Sequence, residues 1–277
     1  MKVCYNNIYL HHFFMCYFTS CVMRLIFSVF IFICTSLISC SNSYQQSQNL
    51  EIPINTIERA ENIYYRLGYT VSFNPELNIP NWVAWELNSS KLIERESRAG
   101  HFYPDPDIPR GIAVETGDYS NSGYDRGHMC PAADNKWDKQ AMRESFYMTN
   151  ICPQHHNLNR GDWKELEDDC RRWVEESGTI YIACGPILYK NDISYIGEER
   201  KIRVPNAFFK VILAGLDEGK PRAIGFIYKN TSGNNPLDHY VNSVDQVERI
   251  TGLDFFSQLP DDVENEIESN YNLNQWR

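Results

Sequence analysis

Near the middle of the chain, Asp125-Arg126-Gly127-His128 sets a carboxylate, a guanidinium and an imidazole within one short run. Downstream come Thr149-Asn150-Ile-Cys-Pro-Gln154 and then Asn159-Arg-Gly-Asp-Trp163-Lys-Glu-Leu-Glu167. Each residue type has a chemical use. An imidazole near its ordinary pKa takes a proton from water at neutral pH. A guanidinium matches the shape and charge of a phosphate. Asn and Glu offer hard oxygens of the kind that suit Mg²⁺, an ion that keeps most of its waters and binds few protein groups. A lone histidine beside an arginine would mean little. Together with amides and a carboxylate on a following helix, it supplies the parts for metal-assisted hydrolysis of a phosphodiester.

These residues need a scaffold, and period and punctuation indicate one. Tyr69–Phe73 alternates and is β-branched or aromatic, which predicts a strand, as does Trp82–Leu87, with Asn88-Ser89-Ser90 turning the chain after it. Ser145–Thr149 reads as a short strand whose continuation breaks after Cys152 at Pro153. The strongest helix runs from about Asp162 to Glu176, with Trp163, Leu166, Cys170 and Trp173 or Val174 at three- and four-residue steps. Asp162 and Glu165 form a capping-box pair at its start, and Gly178 ends it. Trp163 and Trp173 are expected in the core. Thr179–Ala183 reads as a strand closing at Gly185-Pro186, followed by strands at Ala207–Leu213 and Ala223–Tyr228. Helices are expected at Ser243–Thr251 and near Asp262–Ser269. Strands first, with few but definite helices, predict an α+β layer fold around a mixed or antiparallel sheet.

The chain has 277 residues, with 26 basic against 36 acidic and a net charge of −10. That balance excludes a disordered chain, a collagen and a protein that coats nucleic acid through a general excess of Lys and Arg. A nucleic-acid role has to rest on a local basic site or a metal ion. Cys130, Cys152, Cys170 and Cys184 allow three full disulfide pairings, and sequence does not choose among them. A zinc site using Cys152 with His155 and His156 is the rival, weakened by the lack of any CxxC pair. His101, His155 and His156 read as surface residues, Asp125 as a holder of its loop, and Tyr119 and Tyr124 as loop aromatics able to stack on bases.

Asp125-Arg-Gly-His128, the Thr-Asn-x-x-Pro-Gln segment at Thr149–Gln154, and Asn159 followed by Trp163 and Leu166-Glu167 resemble the signature of the DNA/RNA non-specific endonucleases. Pro80–Ser90, Tyr181–Pro186 and Thr251–Phe256 resemble further segments of that family in the right order, so the likeness spans most of Ile63 to about Glu268. The resemblance implies a ββα-metal (His-Me finger) motif and cleavage of both DNA and RNA. By it, His128 corresponds to the general base and Asn159 to the side chain that binds Mg²⁺ directly, with Mn²⁺ able to substitute. Glu167 corresponds to a carboxylate that reaches the ion through water, and Asn150 to an amide that orients the histidine and the scissile group. Arg126 and Arg171 are placed to meet phosphate. Upstream, Arg98, with Phe102 and Pro104-Asp105 after it, fits a further phosphate-contacting arginine, and Arg95 is the alternative. No protein partner is called for. The competing class is a binding module that keeps the fold without catalysis, against which the presence of His128, Asn159 and Glu167 together speaks.

The first forty residues differ from the rest. They hold no Asp or Glu, and Leu25 to Ser39 is almost continuously apolar, the length of a signal-peptide core. Met23-Arg24 resembles a short charged leader, which points to a translation start at Met23. Leu37-Ile38-Ser39-Cys40 resembles the lipobox of bacterial lipoproteins. The expectation is a signal peptide over 1–39, a lipid anchor on Cys40 with a polar tether to residue 57, and the catalytic domain over 58–277. Removal of Lys2 and Arg24 leaves the exported part still more acidic. A plain periplasmic or secreted protein is the alternative. Mass spectrometry of the protein isolated from cells is expected to find Cys40 as an acylated N-terminus, and an unmodified chain beginning elsewhere would reject this reading.

Overall fold

The long apolar runs of the chain become the central strands of one antiparallel sheet. The computed structural model describes residues 49–276, so the expected leader and Cys40 lie outside it. Strands β1 (Ile54–Asn55), β2 (Asn62–Tyr65), β3 (Thr70–Asn74) and β4 (Ile79–Leu87) come first. After a long irregular stretch, β5 (Asp125–His128), helix α1 (Lys139–Ser145) and β6 (Ile151–Gln154) follow. Helices α2 (His156–Arg160) and α3 (Asp162–Ser177) lead into β7 (Ile180–Ile187). A small ladder, β8 (Tyr195–Ile196) with β9 (Ile202–Arg203), precedes β10 (Ala207–Ala214) and β11 (Arg222–Lys229). The chain closes with β12 (Val241–Asn242), α4 (Val244–Thr251), β13 (Leu253–Asp254) and α5 (Asp261–Ser269).

Seven strands pair in the order β12-β11-β10-β7-β4-β3-β2, every pairing antiparallel. Both faces are covered, which is why β7 and, apart from Lys210, β10 read as apolar runs rather than alternating ones. Phe208 and Ile212 share a core with Trp163, Leu166 and Trp173 of α3. Phe209, Val211 and Leu213 join Val244, Val247 and Phe255 in the core on the opposite face. Trp163 and Trp173 are core residues as expected.

A separate two-stranded ladder, β5 with β6, aligns Gly127 with Cys152 and His128 with Ile151. Followed by α2 and α3, it forms the ββα unit. Gln154 lies directly over the first strand: a Cβ on Gly127 would stand 2.2 Å from Gln154 Oε1 and 2.6 Å from its Cβ. Only glycine allows that approach.

Several local expectations are corrected. Ser145–Thr149 is not a strand. Ser145 ends α1 and Met148–Asn150 is a 3₁₀ turn, so the strand begins at Ile151. Pro153 does not break β6, because a proline is tolerated in a two-stranded ladder that leaves one edge unpaired. Gly185 and Pro186 lie within β7, where a Cβ on Gly185 would meet Asn81 O at 2.6 Å. The Asp162–Glu165 capping box does not form. Gly161 is the N-cap, and the Asp162 carboxylate instead accepts a hydrogen bond from the Tyr240 hydroxyl. Helix α3 does end at Gly178, whose φ of +75° is costly for any residue with a Cβ.

The tether also ends sooner than expected. Leu50 is only 4% exposed and belongs to the same core as Leu253 and Phe255, while β1 pairs with β13. Residues 49–57 are therefore part of the folded unit, tied in by Leu50 and by the pairing of β1 with β13. Truncation in the form Leu50→Ala is expected to cost about 2–3 kcal/mol, measured by denaturant unfolding, whereas a true tether would register no loss.

Candidate active site

The ββα unit and the loops before it enclose an open cleft of about 740 Å³. Arg98, Arg126, His128, Asn159, Glu167 and Arg171 all line it. Arg95 is not among its lining residues; its backbone N–H is bonded to Lys136 O. Of the two upstream candidates, Arg98 is the one at the cleft.

His128 closes β5 and is 7% exposed. Its ring lies 5.2 Å from that of Phe102 and 4.7 Å from that of Phe146, the latter edge-on. Burial between these rings, and then the positive charge of Arg98, push its pKa down to about 3. The expectation of an ordinary imidazole is corrected: His128 is neutral throughout the physiological range. Its Nε2 is buried without a hydrogen-bond partner among the described residues, which leaves Nδ1 as the ring atom able to serve the cleft.

Asn150 does not touch the histidine ring. Its Oδ1 accepts from Cys130 N at 2.9 Å, and its Nδ2 donates to Cys130 O and Ser145 O, each at 2.8 Å. With the side chain fully buried and its bonds spent on backbone, it cannot reach a scissile group. It sets the turn that follows His128, and so places the histidine through the main chain alone.

Asp125 does more than hold a loop. Its Oδ2 accepts from Asn159 Nδ2 at 2.8 Å, and its Oδ1 lies 3.2 Å from His156 Nδ1. Burial pushes the Asp125 carboxyl upward, but the bonds from Asn159 and His156 outweigh it and hold the pKa below the usual range. An ionised carboxylate only accepts, so the Asn159 amide must turn its nitrogen to Asp125 and its oxygen away. Asn159 lines the cleft and has no other side-chain hydrogen bond among the described residues, which leaves Oδ1 free.

Two of the lining cations lack a carboxylate partner among the described residues, Arg98 and Arg126. Each guanidinium stacks on an aromatic ring, Arg98 5.2 Å from the Phe146 centroid and Arg126 5.1 Å from that of Phe102. Arg126 also donates to Thr116 O at 3.3 Å. Arg171, by contrast, is committed. It donates to Asp134 at 2.7 Å and to Asp168, and the facing carboxylates raise its pKa against burial. Its guanidinium is thus already paired at the cleft wall, unlike those of Arg98 and Arg126. Tyr119 is buried, its hydroxyl 3.5 Å from Ile151 O, and cannot stack on a base. Tyr124 is half-buried at the cleft wall.

The oxygen donors fit a hard divalent ion. Asn159 Oδ1 and the Glu167 carboxylate face the same cleft, and the described residues place no thiol there. The zinc alternative fails on geometry. Cys152 is buried, His155 Nδ1 accepts from Asn157 N as a helix cap, and no metal-sized group of His, Cys, Asp or Glu forms around them among the described residues. All four described cysteines are buried free thiols.

Comparison with known proteins shows the family. Residues 46–262 match the family described as DNA/RNA non-specific endonuclease. The chain belongs to that family. Over 210 residues it is 37% identical to "Nuclease 1, mitochondrial" of Schizosaccharomyces pombe, covering 70% of this chain and 65% of that protein. It is 36% identical to "Nuclease" of Nostoc sp. over 211 residues, 73% of this chain and 75% of the relative. "Nuclease EXOG, mitochondrial" of Danio rerio matches at 36%, with 62% of its length covered. The chain thus spans less than two thirds of the S. pombe and Danio proteins. In fold, it superposes on a chain of the crystal structure of the EndoG/EndoGI complex with a TM-score of 0.69, at 24% identity, covering 80% of this chain and 94% of that one.

Beneath this endonuclease-family site lie two residues that sequence reading missed. Lys210 is fully buried, its Nζ without a hydrogen-bond partner among the described residues and 4.4 Å from the Trp163 ring centroid. The Trp85 ring is 5.6 Å away on another side. Burial alone would depress the lysine; neighbouring Cys170, Cys184, Glu167 and Asp134 instead hold its pKa above the ordinary value. Burial pushes both thiols up, Cys170 and Cys184 each to about 12, so at neutral pH the counter-charge comes from the carboxylates. Asp134, itself buried, accepts from Trp85 Nε1 at 3.1 Å as well as from Arg171. Glu167 reflects this balance: burial pushes its pKa to about 7 against the pull of Lys210 and Arg171. One signal for Lys210 was available, a single charge inside Ala207–Ala214. Asp134 offered none.

The depressed His128 pKa carries a stability consequence. Between about pH 3 and the unfolded imidazole value of about 6.5, the unfolded chain binds a proton at this position that the native state refuses. Stability therefore falls as pH falls through that window, by up to about 1.4 kcal/mol per pH unit from this group. In His128→Ala that part of the slope is expected to vanish, which urea unfolding at several pH values between 4 and 7 would reveal as a shallower acid limb.

Proposed function

We propose that this chain is a metal-dependent endonuclease that hydrolyses phosphodiester bonds of DNA and RNA without strong sequence preference. The observation that carries the reading is a neutral, buried His128 sharing one cleft with the free Asn159 oxygen and two uncommitted arginines. Arg98 and Arg126 bind backbone phosphate, contacts that position a nucleic acid but carry no sequence information. His128 Nδ1 accepts a proton from a water molecule as that water's oxygen attacks phosphorus. The bond from phosphorus to the leaving sugar oxygen breaks, and that oxygen is protonated from solvent. Asn159 would hold Mg²⁺, or Mn²⁺ in its place, with Glu167 reaching it through water, and when bound the ion would supply positive charge against the phosphate oxygens. Phe102 and Phe146 keep the base dry and neutral, and Asp125 aims the Asn159 oxygen.

We further propose that Cys40 anchors the protein at the cell envelope, a reading supported by the apolar run that leads into Leu37-Ile38-Ser39-Cys40.

The deciding experiment is digestion of closed circular plasmid and of RNA by the purified protein, with Mg²⁺ and with EDTA. Cleavage of both, abolished by EDTA, is expected. His128→Ala should lower the rate about 10²–10⁴-fold while uncleaved DNA is still bound. Asn159→Ala should remove Mg²⁺-supported cleavage while the protein still unfolds in one cooperative transition, at a melting temperature lowered only by the lost bond to Asp125. Between pH 5 and 8 no limb from His128 should appear in the wild-type rate. DNA binding without cleavage by the wild-type protein in Mg²⁺ would instead favour a polyanion-binding module.

A further inference from the structure

On the opposite face of the sheet from the ββα unit, α4 and α5 bring carboxylates together with nothing to neutralise them. Asp245 and Glu248 of α4 and Glu268 of α5 each offer an oxygen, and these oxygens all lie within 4.8 Å of one another. Asp254 of β13 and Glu264 of α5 add negative charge close by, raising the pKa of both Glu248 and Glu268. None of the five carboxylates takes part in a salt bridge among the described residues. Such a grouping of acids is common on a surface, where water screens it.

Glu268 is not on the surface. It is 4% exposed, its carboxylate turned into the cluster, and its Oε1 is buried with no hydrogen-bond partner among the described residues. It is also the penultimate residue of α5, at the helix end whose exposed carbonyls already carry partial negative charge. Burial and the neighbouring carboxylates push its pKa up to about 9, and burial pushes that of Glu248 to about 7. Glu248 spends one oxygen on Phe255 N at 2.8 Å, which fixes its carboxylate in place. A buried, unpaired carboxylate facing two others is destabilising unless a proton or a cation joins it.

We propose that Asp245, Glu248 and Glu268 form a divalent-cation site, of the Ca²⁺ class, remote from the catalytic cleft. Ca²⁺ takes oxygen ligands at about 2.3–2.6 Å, so ligands on opposite sides of the ion stand about 4.6–5.2 Å apart, a span that encloses this cluster. Three carboxylates on one ion suit Ca²⁺ better than Mg²⁺, which retains its waters and takes one or two. The ion would tie α4 to α5 above the core residues Leu253, Phe255 and Val247, making the stability of that corner depend on Ca²⁺.

The test is the number of Ca²⁺ ions bound by the full metal-stripped chain in equilibrium dialysis, with melting temperature as second readout. Wild type is expected to bind one more Ca²⁺ than Glu268→Gln, and Asn159→Ala is expected to keep that ion. In EDTA at alkaline pH, Glu268→Gln should melt at or above wild type, because it removes an uncompensated charge; with Ca²⁺ added it should gain less than wild type. Asp245→Asn, at a more exposed position, should lose the same ion and serves if the glutamine variant folds poorly. Equal Ca²⁺ counts in wild type and both variants would overturn the proposal and leave a carboxyl cluster held by shared protons. Because nothing is read from cleavage, failure here is separable from failure of the nuclease reading.

Discussion

The hydrogen bond from Asn159 Nδ2 to Asp125 Oδ2 joins the first strand of the ββα unit to the helix that follows the second. Because a carboxylate can only accept, this one bond decides which end of the amide faces the cleft, and so whether Asn159 can act as an oxygen donor at all. It depends in turn on the close approach of β5 and β6, which Gly127 permits beneath Gln154. His128 leaves the same strand two residues after Arg126, so imidazole, guanidinium and amide oxygen are all referred to one short ladder. Asn150 secures the turn at its end from below, using backbone groups only.

Charge is distributed in two layers. At the cleft surface, Arg98 and Arg126 stay uncommitted, while Arg160, Lys164 and Arg171 each face a carboxylate. Below it, Lys210 and Asp134 balance one another around Glu167 in a region of indole rings and thiols, and Arg171 joins the two layers through Asp134. Buried ion groups of this kind add little net stability compared with an apolar core, since desolvation offsets attraction. Their effect is to fix where charges sit. An acidic protein can thus present a local cationic surface to a polyanion, in keeping with the −10 overall charge.

Much of the scaffold was legible in the sequence because the signals were local. The i, i+3, i+4 spacing of Trp163, Leu166 and Cys170 foretold α3, and Ser243 with Gln246 makes the capping box that opens α4. The misread elements were those decided by distant partners. Ser145–Thr149 has strand-like residues but is drawn into a turn by Asn150 and its backbone bonds. Leu50 looked like part of a tether because the core it joins, with Leu253 among its members, is built from residues far away in the chain.

The same division runs through the site. Residue types and spacing alone determined the chemistry on offer: a histidine base, an amide and a carboxylate for a hard ion, and arginines for phosphate. Only the tertiary structure decided which arginines remain free and that His128 is neutral. It also turned the Asn159 oxygen outward, confined Asn150 to backbone, and set Lys210 beneath Glu167. A sequence names the groups, but a pKa or a hydrogen-bond partner is set by desolvation and by neighbours across the fold. Phe102 and Phe146 reach His128, and Trp85 reaches Asp134, only once the chain has folded.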